Sequence, residues 1–173
     1  GGGLAITSGV TFSANRGVTM TGAGTINTAS STTSTIQGII TGSGTLTKSG
    51  DGDLILSGAN THSGTLAITD GTLVLSGTLN DSQAVTVSSG AEFNTSNDET
   101  IGSIAGDGTI DVEHKTILTV GGDNTSTTFS GVIQSNGAGV GTGGIVKQGT
   151  GTLTLSGNNT FSGAVTVSAG TLA

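Results

Sequence analysis

The chain has 173 residues and a net charge of −7, and it contains 33 glycines, 33 threonines and 21 serines but no proline, cysteine, tryptophan or tyrosine. Phe12, Phe93, Phe129 and Phe161 are the only aromatics, so any core must be thin and aliphatic, and the four cations Arg16, Lys48, Lys115 and Lys147 are too scattered to displace counterions from nucleic acid. The longest apolar runs span three or four residues, against the roughly 20 that cross a bilayer, so no membrane insertion by this segment is expected.

High glycine with low charge can accompany disorder, but disordered segments lack the β-branched and aliphatic residues that fill this chain. In chain order, alternation at Leu54 and Leu56, Leu66 and Ile68, Leu73 and Leu75, Val85 and Val87, Ile110 and Val112, Leu153 and Leu155, and Val165 and Val167 predicts short strands with one buried face. Glycine closes the runs, paired with Ser, Asn or Asp at 57–58, 121–124 and 156–159, where positive φ or side-chain bonding to the backbone makes a sharp corner. No stretch of ten residues carries a 3.6-residue period free of glycine, so no significant helix is expected. No basic start with an apolar core opens the chain, so an export signal would lie outside this sequence. The absence of cysteine fits a reducing or an oxidising compartment equally.

The chain says nearly the same thing twice. GDLILSGANTHSGTLAITDGTLV at 52–74 and GTLTLSGNNTFSGAVTVSAGTLA at 151–173 share twelve of twenty-three residues at an offset of 99, and Lys48 falls on Lys147. GAGTIN at 22–27 matches GDGTID at 106–111, and SGVTF at 8–12 corresponds to SGAEF at 89–93. The offset grows from 81 to 99, which predicts insertions in the second copy, chiefly around 135–140. Residues 1–173 are therefore read as one domain made of about two copies of an 81 to 99 residue unit, with repeat cores at 42–77 and 143–173.

Strands and glycine corners alone could make a sandwich, a barrel or a solenoid. Sandwiches carry bulky aromatic cores and non-repeating strands, which are missing here. Repetition with small stacked residues predicts an all-β parallel β-helix whose coils pair at about 4.8 Å. With roughly 20 to 25 residues per coil, it would make about seven or eight coils. The preference of parallel crossovers makes it right-handed.

The runs 42–77 and 143–173 resemble the passenger-associated strand repeat of bacterial autotransporters: a lysine, spaced glycines, LxLSGxNT, an aromatic, SG, a valine-rich strand and GTL. IGSIAGDGTIDV at 101–112 and LTVGGDNTSTTFSGVI at 118–133 are similar to the linking coils of the same passengers. The resemblance implies a right-handed β-helix at the bacterial surface or outside the cell, associated with the outer membrane through parts not in this chain. It does not imply an activity, because the family mounts adhesins, proteases and esterases on one stalk. His62 departs from it by taking the aromatic slot that Phe161 fills.

Candidates for chemistry are few. Asp51 and Asp53 would share a strand face at roughly 6.6 Å, near the spacing of an inverting glycosidase or one corner of a calcium site. They flank a corner glycine, however, and the second copy reads GTGTL. They are weak metal candidates, and no catalytic residue or cofactor is expected. Asp111, Glu113, His114 and Lys115 form the only charged cluster, with Asp111 and Glu113 expected to face solvent. His62 reads as a partly packed substitute for phenylalanine, with a pH switch as the alternative. Ser63 beside His62 lacks the spatial arrangement of a triad.

The leading reading is a non-enzymatic structural or adhesive segment of an autotransporter-like passenger, with neighbouring β-helix coils and surface or matrix ligands as partners. A self-assembling filament subunit stacking end to end is the alternative, since GGGLAI at the start and TLA at the end look uncapped. A polysaccharide-active β-helix enzyme is a remote third reading.

Overall fold

A computed structural model describes residues 2–135 and 143–173. Every strand pair in it is parallel, and no helix occurs among the described residues. The chain winds as a β-solenoid of about eight turns with three faces.

The first face carries nine strands in one sheet: Gly2–Ile6, Gly24–Thr28, Leu46–Ser49, Leu66–Ile68, Ala84–Val87, Ser103–Gly106, Thr127–Phe129, Thr152–Leu155 and Thr171–Leu172. The second carries seven: Thr11–Phe12, Thr33–Ile36, Asp53–Leu56, Thr72–Leu75, Glu92–Thr95, Thr109–Val112 and Val132–Gln134. The third is broken. Val18–Met20 pairs with Ile40–Gly42, two coils then pass without a strand, and Glu99–Ile101, Ile117–Val120, Gly144–Lys147 and Val165–Val167 resume the ladder.

The alternation that predicted the strands is the one the fold uses. Leu54, Leu56, Leu66, Ile68, Leu73, Val85, Val87, Phe93, Ile104, Ile110 and Phe129 point inward and are at most 1% exposed, stacked coil on coil along one continuous core. Burying each such side chain contributes about 1.5–3 kcal/mol, so a core one side chain deep still outweighs the poor helix and strand propensity of the glycines. Coil length varies. Ser103 pairs with Ala84, whereas Leu153 pairs with Thr127, and the second of these coils is the longer. The insertion expected at 135–140 lies, apart from Ser135, outside the described residues. Ser135 Oγ donates to Val112 O at 2.6 Å and accepts from Gly143 N at 2.9 Å.

Gly121 and Asn124 take the positive φ expected of their corner, at 124° and 61°, and Asn159 bonds Gly157 O, but several corner glycines serve a further purpose. Positive φ occurs at Gly71 and Gly90, among others, but not at the Ser-Gly corners Gly58 and Gly77. Those two stack on each other. A Cβ on Gly77 would lie 2.1 Å from Gly58 O, and one on Gly58 would lie 2.7 Å from Gly38 O. The same column recurs where Gly64 sits on Gly44, and Gly44 on Gly22, at 2.1 and 2.0 Å. Glycine is required there because the backbone of the preceding coil occupies the place of a side chain.

The repeat is rotated on the solenoid. Lys48 lies on a strand of the first face, while its counterpart Lys147 lies on the third. Because coil length changes along the chain, the offset between the copies is not a whole number of turns, and the second copy begins one face earlier in its turn.

Candidate functional site

The polar groups that the core encloses mark the repeat more clearly than any surface cluster. Lys48 is wholly buried, because alternation along Leu46–Ser49 turns it inward beside Leu46. Its ammonium donates to Ser49 O at 3.2 Å, Gly50 O at 2.6 Å and, on the following coil, Asp70 O at 2.9 Å. Lys147 repeats the arrangement, donating to Gln148 O at 2.5 Å, Gly149 O at 3.1 Å and Ala169 O at 3.4 Å. Three N–H donors meet three corner carbonyls in each copy, which is what a buried ammonium requires. Burial pulls the Lys48 ammonium below its ordinary range, against the opposing pull of Asp53, Asp70 and Asp51.

The asparagine of the SGxNT motif replaces a strand. Asn60 Oδ1 accepts the Ile40 N–H at 2.9 Å, and Asn60 Nδ2 donates to Gly58 O and Thr78 O. The next two amides, of Thr61 and His62, both donate to Ile40 O. In the second copy Asn159 Oδ1 accepts the Ile133 N–H at 2.8 Å, and Thr160 and Phe161 donate to Ile133 O. The motif lets a coil pass without a regular strand while the backbone groups of its neighbour stay satisfied.

His62 is fully buried rather than partly packed. Its Nε2 meets Gly44 O, and its Nδ1 lies 2.6 Å from Gln83 Nε2, which also donates to Gly64 O at 3.0 Å. With the ring neutral, Nε2–H donates to Gly44 O and Nδ1 accepts from Gln83. Phe161, in the matching slot, is only half-buried against the core. Gln83 was invisible to sequence reasoning as a partner, since it lies on the next coil and reaches His62 only through coil stacking.

Glu99 belongs to the same broken face. It is 5% exposed, and its Oε1 accepts the Leu79 N–H at 2.8 Å. Burial, aided by Asp81 and opposed by the Leu79 hydrogen bond, raises its carboxyl to about 7.

The weak metal candidates flank Gly52. Asp51 is exposed in the corner after Lys48, whereas Asp53 opens the strand Asp53–Leu56 and accepts from Thr33 Oγ1 at 3.2 Å. No group of three or more potential metal-ligating side chains occurs among the described residues. The inward carbonyls of this corner meet the Lys48 ammonium instead. Asp111, expected to face solvent, is buried at 4% exposure, because it stands mid-sheet with Asn94 and Gln134 in register on either side. Glu113 and His114 are half-buried, and Lys115 is exposed in a corner with φ of 63°. Burial, together with Asp111 and Asp53, pushes the Glu92 carboxyl up. At the corner after Gly121–Gly122, burial opposes ionisation of Asp123. Hydrogen bonds from Ser103 at 2.6 Å and from the Thr125 amide and hydroxyl outweigh it and hold the carboxyl below its usual range.

The lysine cage and the asparagine bridge recur together, in register with the sequence repeat. The passenger-associated-transport-repeat family model matches residues 46–75 and 145–173. Those two segments are similar to passenger-associated-transport repeats. Each repeat runs from just beside its caged lysine through its bridging asparagine to the GTL strand. The repeats and the β-solenoid together fit a segment of an autotransporter passenger. No curated protein and no solved structure matches the chain.

Proposed function

We propose that the chain is a length of non-enzymatic stalk in a secreted or cell-surface autotransporter passenger. It acts as a structural spacer, and adhesion is carried by outward side chains or by neighbouring parts of the passenger. The observation that carries this reading is the unbroken pairing of nine successive strands on the first face. Every coil is joined to the next by backbone hydrogen bonds in series, which makes an object stiff along its axis, about 4.8 Å longer for each coil. The polar interior supports it too, since the buried Lys48, Lys147 and Asn60 and the part-buried Asn159 hold coils together.

The test is to display the chain on bacteria between an epitope tag and a separately supplied β-barrel anchor. The expected result is a tag held roughly 40 Å further from the membrane than with the anchor alone, with no hydrolysis of peptide, ester or glycosidic substrates by the purified chain. Turnover of any of these would overturn the proposal.

A further inference from the structure

Among the described residues, the third face is where the backbone ladder between consecutive coils is replaced by side chains. Between Ile40–Gly42 and Glu99–Ile101, two coils pass with a single bridge, Ala59 to Thr78. Asn60 closes the gap on one side with an uncharged amide. Glu99 closes it on the other with a carboxyl that can ionise. The charged group facing that carboxyl is Asp81, on the passing coil. Leu118, its register partner on the following coil, is apolar, and Asp98, just before its strand, accepts from the Ile117 amide. The passing coil is further held by the buried His62–Gln83 pair, in which Gln83 Oε1 has no partner.

We propose that this seam is a pH-responsive joint in the solenoid, in which ionisation of Glu99 releases the segment 78–83 from the coil that follows it. A neutral Glu99 accepts the Leu79 N–H with its carbonyl oxygen and rests in a dry site. An ionised Glu99 faces both the lack of water and the like charge of Asp81, so it turns out to solvent and leaves the Leu79 amide without an acceptor. The Asn60 bridge does not titrate, so the opening stays local. Burial, opposed by the Leu79 hydrogen bond and aided by Asp81, raises the carboxyl to about 7 in the closed joint, so the joint is closed in acid and loosens progressively as pH rises from 4.5 to 7. The adjoining coils stay joined through the first and second faces, so the stalk softens at one level without coming apart.

Hydrogen exchange of the Leu79 amide in the full chain tests this, with rates corrected for the intrinsic effect of pH. The Leu46 amide, which donates to Thr65 O within the ladder, serves as internal control. Protection of Leu79 should fall by up to about tenfold per pH unit between about 4.5 and 7 and level off above that, while Leu46 does not change. In Glu99→Gln the fall should vanish. In Asp81→Asn, a change at an exposed position, it should be smaller and level off at lower pH. Protection of Leu79 that is independent of pH, or a fall that persists in Glu99→Gln, would overturn the proposal. Should Glu99→Gln fail to fold, a carbon NMR titration of the Glu99 carboxyl in the native chain decides. A midpoint near 7 that coincides with the levelling-off at Leu79 is expected, and one near 4.5 would overturn it.

Discussion

Lys48 and Lys147 hold the same place in the two repeats and stand on different faces of the solenoid, yet each ammonium donates to two carbonyls of its own corner and one of the next coil. Lys48 alone has acids around it, because Asp51, Asp53 and Asp70 correspond to Thr150, Thr152 and Ala169. Replacing either lysine with methionine keeps the apolar stem and strands three carbonyls. Lys48→Met should lower stability by about 3 kcal/mol, since it also leaves the three acids without their counter-charge. Lys147→Met should lower it by about 2 kcal/mol. Shifts in urea midpoint check the order, and equal losses would refute the part given to the acids.

Asn60→Leu should cost about 2–3 kcal/mol, because it removes the acceptor of the buried Ile40 amide and the donors to Gly58 O and Thr78 O at once. Asn159→Leu should cost less, as its amide bonds only Ile133 N and Gly157 O. Thermal melts of the two variants give the comparison.

The glycines divide into two classes that alanine substitution separates. Gly90→Ala meets open space and only a positive φ of 83°, so it should cost about 1 kcal/mol. Gly44→Ala drives its Cβ to 2.0 Å from Gly22 O, and Gly64→Ala to 2.1 Å from Gly44 O, both backbone atoms of the coil before. These two variants should lose ordered coil pairing. Circular dichroism and limited proteolysis read the difference.

His62→Phe copies the second repeat but strands Gly44 O and removes one of the two acceptors of the Gln83 amide, which keeps Gly64 O. It should cost about 1–3 kcal/mol, and the double change with Gln83→Leu should recover part of that loss. A double-mutant cycle measured by denaturation gives the coupling, and strict additivity would mean that the pair does not act as a unit.

Global stability carries the signature of Glu99. Its folded value of about 7 lies above the unfolded value of 4.5, so the fold binds the proton more tightly than the open chain does. The corresponding stability is fully present below pH 4.5 and is lost as pH rises to 7, an amount of order 3 kcal/mol. Glu99→Gln should flatten that part of the profile and be more stable than the native chain at pH 8.

The sequence by itself determined the strand-and-corner solenoid. Its period-two alternation places Leu54, Leu66, Val85 and Ile110 on one side of the chain, and its repeated SG and GTL segments leave no other element to build. It also determined that the lysine and the asparagine matter to the repeat, since they recur at 60 and 159 and at 48 and 147. Only the tertiary structure decided what they do. It is the stacking of the next coil that brings Asp70 O over the Lys48 ammonium, which also meets Gly50 O of the corner before Asp51. The rotation of the second repeat by one face, the glycine columns and the pairing of His62 with Gln83 were likewise absent from the linear pattern. Each depends on the register between successive coils of unequal length. That register is set by packing along the whole core, while local alternation fixes only which way a side chain points.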